Sequence, residues 1–174
     1  PNEDLVLLDG FFVRRPPPRP QFAQEYTVEQ ARSVGLAMFS WLTDVTGLRG
    51  GTNRTERGSF DITPYVPITH TDLTALLVPS YLPWVPEMDG WQLPFEFYVD
   101  ILDPLGAEPL AIRSTGSDGQ ADGSTYIPGS FPFLQDEQDI VWADGIFVRI
   151  PEGGAVFVDD FESGDACAWS ATIP

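Results

Sequence analysis

Chemistry in this chain must be done almost entirely with oxygen. There is one Cys (Cys167), one His (His70) and, among nine basic residues, no Lys. That inventory excludes an internal disulfide, a Cys-rich zinc site, a multi-His metal centre and Schiff-base catalysis. Carboxylates are abundant instead, with 26 Asp and Glu giving a formal net charge of −17. A polar, Gly- and Asp-rich stretch runs from Ser114 to Gln138. It is longer than a simple turn needs and long enough to wrap an ion or make a functional contact. Hard oxygen donors leave calcium as the metal that fits, since it takes roughly six to eight of them. Asp122 and Asp136 are candidate ligands by their place in this stretch. Asp-Gly is also a common turn dipeptide, so solvated turns are the competing reading.

Catalytic patterns are missing. No nucleophile elbow and no phosphate loop occur. His70 sits in a Thr-rich turn, ITHTD, and reads as a surface or capping residue. A glycosidase-like pair of carboxylates can be drawn on paper in any chain with 26 acids, so it carries no weight. The expectation is a chain that is not an enzyme, with an acidic hydrolase as the remotest alternative. The negative charge repels nucleic acid and anionic lipid. No apolar run approaches the roughly 20 residues that span a bilayer, so no membrane insertion by this chain is expected. The chain opens at Pro1 with neither Met nor a signal peptide, which reads as a processed or trimmed end.

The elements that must position the acidic loop follow from periodicity. YTVEQARSVGLAMFSWLTDVTG (Tyr26 to Gly47) repeats apolar residues at Ala31, Val34, Met38, Trp41 and Val45. That spacing predicts one long amphipathic helix, opened by a Thr27/Gln30 capping box and closed by Gly47. Leu48 to Pro67 reads as a long loop and includes the weak glycosylation tripeptide Asn53-Arg54-Thr55. TDLTALL predicts a short helix stopped by Pro79. FEFYVDIL and EPLAIRS read as two strands joined around Pro104 to Gly106, DIVWADGIFVRI as a hairpin about Asp144-Gly145, and AVFVDDF as a last strand. The fold class expected is α+β, a long N-terminal helix packed on a small antiparallel β-sheet, with long loops.

The two ends of the chain echo each other. DLVLLDGFFVRRPP (Asp4 to Pro17) agrees with DIVWADGIFVRIPE (Asp139 to Glu152) at eight of fourteen positions, at a constant offset of 135 residues. The first copy reads as two apolar strands around Asp9-Gly10, followed by the stiff RRPPPRP linker. Three segments result: residues 1–20 as a strand-like arm and Pro-rich linker, 21–158 as the globular domain, and 159–174 as an acidic tail, DDFESGDACAWS being its opening. The arm residues Leu5, Val6, Leu7, Leu8, Phe11, Phe12 and Val13 are apolar enough to need a partner, and a sheet edge in the same chain or a neighbour would provide one. If each subunit lends its arm to the next, the contact is head-to-tail and builds an open filament. An arm folded back on its own domain, or a remnant of tandem duplication, is the plainer alternative.

The order of motifs adds a family likeness. After the amphipathic helix come LTALLVPSYLPWVP (Leu73 to Pro86), DGW-x-x-P (Asp89 to Pro94), the strand pair, IRSTGSDG (Ile112 to Gly119) and DIVWADGIFVRIPEG (Asp139 to Gly153). Across about Gln21 to Gly153 this resembles the globular part of the major pseudopilin of type II secretion systems and its type IV pilin relatives. The resemblance implies a helix on a small antiparallel sheet and a calcium ion in the loop. Asp118 and Asp139 match the family's ligands, and main-chain carbonyls near Ser114 would complete the shell. It also implies an exported protein, extracellular, at the cell surface or in the periplasm, that associates with itself or with neighbouring pseudopilin-like subunits. Three departures stand out. The family's hydrophobic N-terminal helix is missing from this sequence, Gln92 stands where the family has Gly, and STYIPGSFPFLQ lengthens the calcium loop. The function expected is a noncatalytic, exported bacterial pseudopilin-like structural subunit that assembles into an extracellular filament through its N-terminal arm. The alternative is a secreted calcium-dependent binding or adhesion module of a larger protein.

Overall fold

The computed structural model describes residues 20–47, 58–106 and 108–153, together with two strands near the N-terminus. Those strands, β1 (Val6–Leu8) and β2 (Phe11–Arg14), pair antiparallel with each other in a sheet of two. Leu5, the linker residues 15–19, the tripeptide at Asn53, the AVFVDDF segment and the tail with Cys167 lie outside the described residues.

Helix α1 (Pro20–Thr46) begins earlier than its sequence signals. Pro20 can open a helix because its missing N–H is not needed in the first turn. Thr27 is therefore interior, and its hydroxyl donates back to the Ala23 carbonyl at 2.8 Å instead of capping. The capping-box expectation fails because a residue that can bond backward within a helix does not mark where the helix starts. The other end is as expected. Gly47 takes φ 68° and its N–H closes on Thr43 O at 2.7 Å.

Strands β3 (Phe60–Asp61) and β4 (Pro67–Ile68) occupy what reads as loop, and helix α2 (His70–Leu77) follows with Thr69 as its cap. Then come β5 (Glu96–Val99), β6 (Leu110–Ser114), β7 (Thr125–Tyr126), β8 (Gly129–Phe131), β9 (Ile140–Ala143) and β10 (Ile146–Pro151). The main sheet has six strands in the order β4-β5-β6-β9-β10-β8, and β3 pairs with β7 in a small second sheet. The α+β class stands, with a correction: β8 runs parallel to β10, so the sheet is mixed and not wholly antiparallel. STYIPGSFPFLQ supplies both β7 and β8, which is why the stretch is too long to be a turn.

The core lies on both faces of β6 and β9. On one face Ala31, Val34 and Met38 of α1 meet Leu110, Ile112 and Trp142, along with Leu73 and Leu77 of α2. On the other, Ala111, Val141 and Ala143 pack under Phe60, Ile62, Tyr65 and Tyr126. Two-sided burial explains the unbroken apolar run IVWA in β9. Of the predicted helix stripe, Val45 stays outside and is 57% exposed. Gly35 fixes the approach of α1 to the sheet: a Cβ there would lie 2.5 Å from the Trp142 ring. A mid-helix Gly costs about 1 kcal/mol relative to Ala, and here it makes room for the largest fully buried side chain among the described residues. No described helix is long and apolar enough to cross a membrane.

Candidate functional site: a buried acidic clasp

At the end of the main sheet, the loop after β6 and the start of β9 are tied together by two aspartates. The Asp122 N–H donates to Asp139 Oδ2 and the Asp139 N–H donates to Asp122 Oδ2, both at 3.0 Å. The Tyr126 hydroxyl donates to the same Asp139 oxygen at 2.5 Å. Arg113, at the end of β6, extends the string: its Nη1 donates to Tyr126 Oη and to Gly123 O, each at 2.9 Å, and its Nε donates to Glu96 at 2.7 Å. Tyr98 also donates to Glu96, at 2.8 Å. One continuous polar path thus runs from β5 across β6 to β9.

Asp139 is 1% exposed, and its Oδ1 is buried without a hydrogen-bond partner. An unpaired carboxylate oxygen away from water is costly. Burial pushes the Asp139 carboxyl up to about 6, with the Asp122 charge adding to the rise and the Tyr126 and Asp122 hydrogen bonds opposing it. Burial also raises Tyr126, and the bond to Asp139 adds to it, so the phenol stays a donor.

A second buried acid braces the site from behind. Asp89 accepts from Trp91 and Leu93 N–H at 2.9 Å and from the Ser114 hydroxyl at 2.7 Å. Burial raises its carboxyl, and those three bonds pull it back. The Asp89-Gly90-Trp91 turn leans on α1, where Gly90 N–H donates to Thr27 Oγ1 at 2.9 Å. A Cβ on Gly90 would fall 2.1 Å from the Ala23 carbonyl oxygen, so only Gly fits. Thr27, misread as a cap, is a link between helix and turn. Gln92, where the family likeness has Gly, takes φ 67°.

The five candidate ligands are therefore unevenly gathered. Asp139 and Asp122 meet directly. Ser114 is buried and committed through its hydroxyl to Asp89. Asp118 is exposed and accepts from Gln120 N–H of its own turn at 2.9 Å. Asp136 contributes its carbonyl, which accepts from Ser117 N–H at 2.8 Å. Among the described residues no group of three or more His, Cys, Asp or Glu side chains is placed to hold a metal. A calcium shell here fits the bare Asp139 Oδ1 and would have to draw most other donors from main-chain carbonyls. Sequence reading missed Arg113, Tyr126, Glu96 and Asp89. The alternation of β5 offered a hint, since Glu96 and Tyr98 fall on one side of an otherwise apolar strand.

The side chains of the arm residues Leu5, Val6, Leu7, Leu8, Phe11, Phe12 and Val13 are outside the described residues. His70 lies at the start of α2 with Nε2 2.9 Å from the Val85 carbonyl, a fastening between α2 and its connector. No family model, curated protein or solved structure matches this chain.

Proposed function

We propose that this chain is a noncatalytic structural subunit of pseudopilin-like build, exported from its cell and assembling with copies of itself or with neighbouring subunits of similar build. The observation that carries the reading is a long helix laid over a sheet whose closing hairpin, β9–β10, recurs as the apolar arm β1–β2. An apolar hairpin in excess of what one domain needs is a means of holding another. Calcium belongs to the same reading. Asp139 and Asp122, with loop carbonyls, would hold it, and the ion would neutralise two facing carboxylates and occupy the bare oxygen.

A groove beside the β4–β5 edge, lined by Pro67, His70, Phe95 and Tyr98 together with Glu87 and Glu96, favours the second reading, a secreted calcium-dependent binding module. Sedimentation velocity in calcium over a range of protein concentrations separates the two. A subunit gives boundaries that grow with concentration. A single monomer at every concentration contradicts the first reading and leaves the groove as the functional surface.

A further inference from the structure

The echo between the chain's ends extends to backbone pairing. In β9–β10 the partners are Ala143 with Ile146, Trp142 with Phe147 and Val141 with Arg149, with the register slipping at the residue between Phe147 and Arg149. In β1–β2 they are Leu8 with Phe11, Leu7 with Phe12 and Val6 with Arg14, with the same slip. Adding the offset of 135 residues turns every pair of the first into a pair of the second.

A tight Asp-Gly turn would explain two of the eight identities. Four of the other six, and the turn's own Asp, fall where β9–β10 touches the rest of the domain. Val141 and Val148 are buried against the second core face. Arg149 lies over the Phe131 ring at 5.2 Å. Asp139 accepts from Tyr126 and Asp122, and Asp144 accepts from the Tyr65 hydroxyl at 2.6 Å and Leu110 N–H at 3.2 Å. Val6, Val13, Arg14, Asp4 and Asp9 stand at the matching positions. A hairpin needs none of these contacts to form; it needs them to dock.

We propose that the β1–β2 pair, within the segment Asp4 to Pro17, docks beside β6 of a second copy of this domain, in the place that copy's β9–β10 otherwise takes. The proposal deepens the assembly-arm reading and rests on it for its use in assembly. The two occupants are not equal. Leu7 stands for Trp142 and would underfill the space against Gly35, whereas Leu8 stands for Ala143, beside an apolar pocket lined by Phe60, Pro64, Ile146 and Val148. A chain's own hairpin therefore holds the place by default, and exchange between copies is a minority state that grows with concentration.

The test uses two full-length variants, both Cys167→Ser, one with Leu8→Cys and the other with Ala111→Cys. Ala111 pairs with Ala143 across β6 and β9, so a docked arm brings position 8 opposite position 111 at a spacing a disulfide can bridge. The two are mixed, refolded together from denaturant, slowly oxidised and mapped by mass spectrometry. The control partner carries Ile127→Cys, at a residue 75% exposed. The expected result is an intermolecular disulfide joining positions 8 and 111, several-fold above the control. Equal yields, or none at position 111, overturn the proposal. The disulfide without polymers keeps it and sinks the filament reading; polymers without the disulfide sink this inference alone.

Discussion

Strand β9 joins two regions built on opposite principles. Trp142 faces α1, packed against Gly35 and edge-on to Phe39 at 5.7 Å, in a layer of apolar side chains. Three residues earlier, Asp139 faces the loop, bonded through one oxygen and bare at the other. The first region is held by shape, which solution conditions barely alter. The second is held by charge and hydrogen bonds around a carboxyl that burial raises to about 6, so its strength depends on pH. The difference teaches that the helix layer is the scaffold and the clasp is the adjustable joint.

The largest effect should come from the scaffold. Trp142→Ala should cost about 3–5 kcal/mol in denaturant unfolding, because Gly35 offers nothing to collapse into the space. A loss below about 1 kcal/mol would break the contrast. The joint should respond to pH with a definite sign. The Asp139 carboxyl titrates near 6 when folded against an ordinary value of 3.8. Its contribution is complete below the lower value and is lost as pH rises through the upper one. Relative to Asp139→Asn, the wild-type chain should therefore lose about 3 kcal/mol between pH 4 and 7 without calcium. Melting curves of both proteins check this. Added calcium should restore wild-type stability at pH 7 and leave the variant unchanged, because an ion bound only to the folded state stabilises it. A calcium-insensitive wild type would sever the joint from the ion. The smallest effect belongs to the DGW turn, where Gln92→Gly should stabilise by about 1 kcal/mol by relieving the left-handed backbone at φ 67°.

The two regions also differ in how far the sequence discloses them. Ala31, Val34 and Met38 recur at helical spacing because a buried helix face must, so the scaffold is readable from periodicity. The helix start is not, since Thr27 bonds inward and to Gly90 in a way no local pattern marks. The clasp depends on Arg113, Tyr126 and Asp139, which lie up to 26 residues apart in sequence and meet only through strand pairing. Proximity in sequence put Asp122 near Asp139 and put Asp136 forward equally, but only Asp122 reaches across. β8 was hidden because a three-residue strand reading GSF has no alternation to detect.

The proposal that most needs testing is that the repeated hairpin lets this chain assemble with copies of itself. Negative-stain microscopy of the full chain beside a version beginning at Gln21, both in calcium, tests it most directly. The account predicts polymers from the full chain that vanish in the shortened one while its melting temperature is kept. Indistinguishable monomers from both would contradict it.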